Sequence, residues 1–229
     1  MAADAAALPN APRPTGERVL VVACGALARE ILGVLERAGL DHVDVACLSA
    51  QLHMRPGRIA DAVAAKIRER RDGYDRVFVA YADCGTGGAL DRVLAEPDLA
   101  GIERLPGAHC YELYAGAKAF EQLADEEPGT FYLTDFLTRS FDALVIKGLG
   151  LDRHPELLEL YFGNYRRLVY LAQSDDPALV DEARAAAERL GLEFELRRTG
   201  YGELEPFLLA GTSGGTSAAT TTGFQAGAA

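Results

Sequence analysis

The side chains best suited to hold a soft metal or to act as nucleophiles are its four cysteines and four histidines. Three of the cysteines stand just past apolar runs that read as β-strands. Cys24 follows Arg18-Val-Leu-Val-Val-Ala23. Cys84 closes Arg76-Val-Phe-Val-Ala-Tyr-Ala-Asp83, and Cys110 lies in Gly107-Ala-His-Cys110, shortly after Gly101-Ile-Glu-Arg-Leu105. In an open parallel sheet the carboxyl ends of the strands share one edge, and ligands bind at that edge. Three thiols are therefore expected to converge, with His109 beside them. Thiolate and imidazole are the natural ligands of zinc and similar metals. The expected centre is Cys24, Cys84 and Cys110 with one of His53, His109 and His154; three such ligands and an open position would make it catalytic in type. No C-x-x-C pair is present, so the expectation rests on placement at strand ends. The competing readings are buried thiols acting as small apolar residues and redox-active thiols.

His109 and Cys110 are neighbours, so both can face one metal only if the backbone there is irregular, which a turn at Pro106-Gly107 allows. His53 sits in a loop before Met54-Arg-Pro56, and His154 lies where Asp152 and Glu156 can hold its ring. Cys47, inside Val43-Asp-Val-Ala-Cys-Leu48, reads as a small buried apolar residue, and His42 as an ordinary surface one.

The turn Ala82-Asp-Cys-Gly-Thr-Gly-Gly88 admits a different chemistry. A strand, an acidic residue and glycines leading into a helix can cradle a phosphate or an adenosyl group, with Asp83, Gly85, Gly87 and Gly88 as cofactor-binding candidates. The turn resembles the first motif of S-adenosylmethionine-dependent methyltransferases, with Glu103 as a candidate ribose-binding carboxylate. Two complete βα units precede it, however, whereas in that class the motif follows the first strand. A plain structural turn is the competing reading. Thr134-Asp135 reads as a helix cap, and Tyr111, Tyr114 and Tyr201 as packing or the rim of a pocket.

The elements that must position these residues alternate. Strands are expected over 18–23, 43–48, 76–82, 101–105, 129–133, 167–172 and, alternating and therefore at an edge, 192–196. Helices are expected over 26–38, 57–71, 87–94, 110–123, 135–141, 155–161, 177–190 and 203–209. This pattern predicts an α/β fold of three layers, a mostly parallel sheet with helices on both faces. One domain over 17–210 is expected, with two related lobes as the alternative. Residues 1–16 and the Gly/Thr/Ala tail 211–229 read as flexible.

Composition narrows the partners. Lys and Arg total 23 against 34 Asp and Glu, a formal net charge of −11, which argues against nucleic acid because phosphate binding needs a concentrated basic surface. No apolar run of about 18 residues is present to span a membrane. The N-terminal stretch lacks the basic start and apolar centre of a secretory signal, and four cysteines in 229 residues read as reduced thiols; both point to the cytoplasm. A small-molecule substrate is expected.

Tyr81-Ala-Asp-Cys-Gly-Thr-Gly-Gly88, Ala108-His-Cys-Tyr-Glu112, Pro128-Gly-Thr-Phe-Tyr-Leu-Thr-Asp-Phe136 and Gly148-Leu-Gly-Leu-Asp-Arg-His-Pro-Glu-Leu157 together resemble a bacterial and archaeal family, domain of unknown function 1638, from about Arg18 to Leu209. The resemblance implies an association with corrinoid-dependent methyl transfer. It thus brings in a corrinoid or methyltransferase partner protein. Thiolate-bound zinc would suit activation of a thiol methyl acceptor in one-carbon metabolism, as a metal-dependent methyltransferase. A non-catalytic accessory that delivers metal to a corrinoid system is equally compatible, and a methyltransferase using S-adenosylmethionine remains the alternative without metal.

Overall fold

The computed structural model describes residues 17–212; the segments 1–16 and 213–229, expected to be flexible, lie outside the described residues. The described residues hold seven strands: β1 (Val19–Cys24), β2 (Val43–Leu48), β3 (Arg76–Ala80), β4 (Glu103–Arg104), β5 (Thr130–Thr134), β6 (Arg167–Ala172) and β7 (Glu193–Arg198). Nine α-helices lie among them: α1 (Ala28–Ala38), α2 (Ile59–Arg70), α3 (Ala89–Leu94), α4 (Cys110–Ala115), α5 (Ala117–Glu126), α6 (Asp135–Arg139), α7 (Leu158–Phe162), α8 (Pro177–Leu190) and α9 (Leu204–Thr212). Every strand pairing is parallel, so the α/β class expected from the alternating pattern is present. The strands divide between two sheets, ordered β2-β1-β3-β4 and β5-β6-β7, which is the two-lobed form of that architecture rather than one continuous sheet. The division falls after β4, a strand of two residues; the N–H of Leu105 still donates to Val79 O, and the next residue, Pro106, has no N–H to continue a ladder.

β1 is buried along its whole length, as befits a central strand with helices on both faces. The order of the first sheet reverses at β1: the chain goes to one side for β2 and to the other for β3 and β4. Right-handed crossovers therefore place α1 and α2 on opposite faces. α2 packs with α3, and α1 packs with the returning α9, which also touches β3. Leu204 and Leu208 of α9 belong to the core of this first lobe. In the second lobe a separate core gathers Leu133, Leu168 and Tyr170 with Leu179 and Ala183 of α8.

Local signals explain most boundaries. α1 and α8 end at Gly39 and Gly191, both left-handed, the conformation that closes helices without a Cβ penalty. Asp176 caps α8 by accepting from the N–H of Ala178 at 3.0 Å. The helix expected over 110–123 is broken into α4 and α5 at Gly116. Residues Asp142–Ile146 form a turn of π-helix that no sequence signal announced. Cys47 corrects an expectation: it is exposed, because β2 is an edge strand of its sheet and the one buried residue of β2 is Ala46.

Candidate functional site

In open parallel sheets ligands settle where the strand order reverses, which here is the crevice between the carboxyl ends of β1 and β3. Cys24 ends β1, and its Sγ caps the following 3-10 turn by accepting from the N–H of Ala26 at 3.4 Å. The chain there runs so close to β2 that a Cβ on Gly25 would stand 2.8 Å from the carbonyl oxygen of Leu48. β3 continues into Tyr81-Ala82-Asp83 and then Cys84, whose φ of 50° makes it the one non-glycine residue with positive φ among those described. Such backbone strain is held only where the surroundings over-determine it, and it gathers at functional sites.

Two backbone bonds stitch the next segment alongside: the N–H of Asp83 donates to Gly107 O (3.1 Å), and that of Cys84 to Ala108 O (2.8 Å). They extend the β3–β4 pairing past the end of β4 and bring Cys110, the first residue of α4, against Cys84. The two Sγ atoms are 3.5 Å apart. From the other side Ser49 starts a 3-10 helix, Ala50–Met54, by accepting from the N–H of Gln51. That turn carries His53 over the crevice. Its Nδ1 lies 3.1 Å from Ala50 O and 3.9 Å from Cys24 Sγ, its ring stacks parallel to Tyr81, and it also interacts with the Cys110 thiol.

Cys24, His53, Cys110 and Cys84 thus form a chain of contacts across the switch point. Of the sequence candidates, the three thiols and His53 are brought together. His109 stands at the N-cap position of α4 with no side-chain capping bond, on the rim of the adjoining cavity beside Tyr111. His154 is bound to Glu156 at 3.1 Å, on an exposed loop of the second lobe. Glu103 lies exposed on β4. Among the described residues no three His, Cys, Asp or Glu side chains are disposed as a finished metal-holding group; the contacts just described are pairwise.

The electrostatics couple these groups. The thiols of Cys110 and Cys24 raise the His53 imidazole, against its partial burial, to about 10. Cys84 and burial push Cys110 well above the ordinary thiol range, with His53 opposing. A proton on the imidazole therefore favours a thiolate beside it, while two thiolates side by side are disfavoured. Below them Tyr81 is fully buried and its hydroxyl has no hydrogen-bond partner; burial, then the neighbouring Cys24, raises its ionisation far beyond the phenol range.

The glycine turn is self-contained. The Asp83 carboxylate accepts from Thr86 Oγ1 (2.5 Å) and from the N–H groups of Gly87 (3.0 Å) and Gly88 (2.8 Å). Burial works to raise its pKa, but these bonds outweigh it and hold the group below the usual carboxylate range. The N–H groups of Gly87 and Gly88, which a phosphate would use, thus bind Asp83, and the turn serves to fix Cys84.

Beside the thiols opens a cavity of about 340 Å³ between the lobes. Cys84, Cys110, His53 and His109 form one end; Phe131, Phe136, Leu137, Leu144, Val145 and Leu149, all from the second lobe, form the opposite wall. Tyr111 and Tyr114 line it, whereas Tyr201 packs on the core of the first lobe.

Two acidic residues were not singled out by sequence as candidates for chemistry. Asp135 is 2% exposed and accepts from Tyr170 Oη (2.6 Å), Ser174 Oγ (2.5 Å) and the N–H of Gln173 (2.9 Å). Thr134 is the helix cap, accepting from the N–H of Leu137. Glu30 in α1 is 3% exposed, with one carboxylate oxygen unpartnered. Burial raises its pKa; the N–H of its own backbone opposes, Asp135 adds to the rise and Arg139 opposes it.

These features define a two-lobed parallel α/β protein with a thiol- and imidazole-bearing crevice at its topological switch point, opening on an apolar cavity. The chain matches, over residues 47–208, the family described as protein of unknown function (DUF1638), and it belongs to that family. No curated protein and no solved structure matches it. No helix among the described residues is long and apolar enough to cross a membrane.

Proposed function

We propose that this protein binds a transition metal of the zinc type through Cys24, Cys84, Cys110 and His53. The observation that carries the reading is the chain of contacts at the switch point. Around a tetrahedral zinc with Zn–S of about 2.3 Å, neighbouring donors stand about 3.5–3.8 Å apart; the Cys84–Cys110 separation of 3.5 Å lies close to that spacing. The donor set, three thiols and an imidazole, is also the kind zinc selects. Ala50 O beside Nδ1 is the sort of backbone acceptor that fixes the tautomer of a ligating histidine. When bound, such a metal would act as a Lewis acid that keeps a sulfur or similar group deprotonated and nucleophilic. The methyl-transfer setting implied by the family resemblance, catalytic or accessory, would use this same centre.

The test is elemental analysis of gently purified protein with a thiol count before and after chelation. About one equivalent of metal per chain is expected. Cys84→Ser and Cys110→Ser should lose it, while Cys47→Ser, altered on the exposed edge strand, should keep it. Equal metal content in all three variants overturns the reading.

The Sγ–Sγ distance of 3.5 Å favours one further reading, a dithiol that exchanges with a low-molecular-weight disulfide. Cys84 and Cys110 would give up two electrons and two protons, reducing the disulfide to two thiols as the protein S–S bond forms. Loss of two titratable thiols in glutathione disulfide, in wild type and Cys47→Ser but not in Cys84→Ser, would support it. Unchanged thiol counts in the wild type would remove it.

A further inference from the structure

A second cavity, of about 390 Å³, opens beside the first and shares Met54 and Leu144 with it. On one side it is walled by the segment from Ser49 to Arg58 of the first lobe. On the other stand Ala143 and Leu144, from the π-helical turn of the second, and Gly148. The polar side chains on its wall are Ser49, Gln51, Arg55 and Arg58, and no Asp, Glu or Lys lines it. A 3-10 turn sets residues three apart on one side. The turn Pro56–Arg58, entered from Arg55, thus puts both guanidinium groups along one wall.

Two arginines facing no carboxylate stand out in a chain with 34 acidic residues against 23 basic ones. Elsewhere Arg18 pairs with Asp44, Arg68 with Glu96 and Asp98, and Arg104 with Asp91. Asp142, the acidic residue of the π-helical turn opposite, is taken by Arg189. Asp61, in the first turn of α2, does not line the cavity. Among the described residues the Arg55 and Arg58 side chains have no ion-pair or hydrogen-bond partner. Ser49 Oγ accepts from the N–H of Gln51, which leaves its own O–H free to donate. Arg58 also holds the N-cap position of α2 without a side-chain capping bond, where the positive end of the helix adds to its charge.

A wall rich in donors and free of carboxylates suits an anion, and the guanidinium fork matches an oxyanion with paired hydrogen bonds. We infer that this second cavity binds the oxyanion group, carboxylate or phosphate, of a small molecule. Arg55 and Arg58 hold the charge, and Ser49 and Gln51 supply neutral donors. The site adjoins the thiol cavity through Met54 and Leu144 but needs no metal there.

The test follows the arginine side-chain Nε–H resonances of the full-length protein during titration with inorganic phosphate, acetate and methylammonium. Phosphate or acetate should shift the Arg55 and Arg58 signals saturably, the tighter of the two identifying the oxyanion, and methylammonium should not. Arg55→Gln and Arg58→Gln should each weaken that binding about fivefold and the double variant at least about tenfold. Both side chains are exposed, so these variants keep the fold. Arg70→Gln, the same loss of charge at the far end of α2, should leave the affinity unchanged. No saturable shift with either anion, a double variant that binds like the wild type, or an equal loss in Arg70→Gln overturns the inference.

Discussion

At the carboxyl end of β5, Asp135 accepts three hydrogen bonds, and its own N–H donates to Gln173 Oε1 at 2.7 Å. At the carboxyl ends of β1 and β3, thiols stand 3.4–3.9 Å from their polar neighbours and a buried tyrosine hydroxyl has none. Both edges face the space between the lobes, but the carboxylate at one is fully engaged by its own residues, while the other is held by longer sulfur contacts around an unpartnered hydroxyl. Buried polar groups in native structures are nearly always paired, so an incompletely paired cluster asks for an explanation. The Asp135 network holds the second sheet to its helix. The thiol cluster has donor capacity left over for something else.

The contrast can be broken first at its strong side. Asp135→Ala removes the acceptor of Tyr170, Ser174 and Gln173 together and leaves buried donors unpaired, each costing about 1–3 kcal/mol. A loss of at least about 3 kcal/mol in urea unfolding is expected, whereas Cys84→Ser should cost metal-free protein under about 1 kcal/mol. Equal losses in the two variants would erase the distinction between the edges.

Glu30 tests the seam between the lobes. Its folded pKa is raised above the unfolded value, so the unfolded chain releases the proton first. Stability is therefore lost as pH rises out of the ordinary carboxylate range and through the raised value. Glu30→Gln should gain stability at pH 8, from removal of a buried negative charge, and nothing at pH 4. A gain independent of pH would point to packing instead.

The smallest effect is expected at His53, part of which is open to solvent. Its folded pKa of about 10 lies above the ordinary histidine value. The stability it contributes should be fully present below about pH 6.5 and lost as pH rises through about 10. The difference in melting temperature between wild type and His53→Asn should shrink along that course. A difference that stays flat would mean that the thiols do not hold a proton on the imidazole.

Much of this was legible in the chain. The strands over 43–48 and 167–172 and the helix over 177–190 coincide with β2, β6 and α8, because an apolar run and an Asp-Pro start with a Gly stop are strong local signals. The convergence of Cys24, Cys84 and Cys110 was readable because parallel strands share an edge. His53 was one of three open choices, since its position depends on the 3-10 turn that follows β2. Asp135 and Glu30 were hidden for a different reason. The partners of Asp135 lie 35 to 39 residues further along, and Glu30 sits in a run that reads as an exposed helix start. No local pattern distinguishes a buried carboxylate from a solvated one. The division into two sheets likewise depends on where β4 stops pairing, a tertiary matter.

The first lobe is closed by the last helix described. Gly211 of α9 rests on the ring of Phe78 in β3, and at Gly202, just before the helix, any Cβ would collide with the carbonyl oxygens of Leu113 and Tyr114. During synthesis on the ribosome the order of completion is therefore inverted. Residues 130–198 can close the second sheet as soon as they emerge, while the older sheet waits with its α9-facing side uncovered until residues 204–212 arrive. Domains ordinarily fold from the N-terminus onward as they are made; here the thiol-bearing half is the last to be sealed.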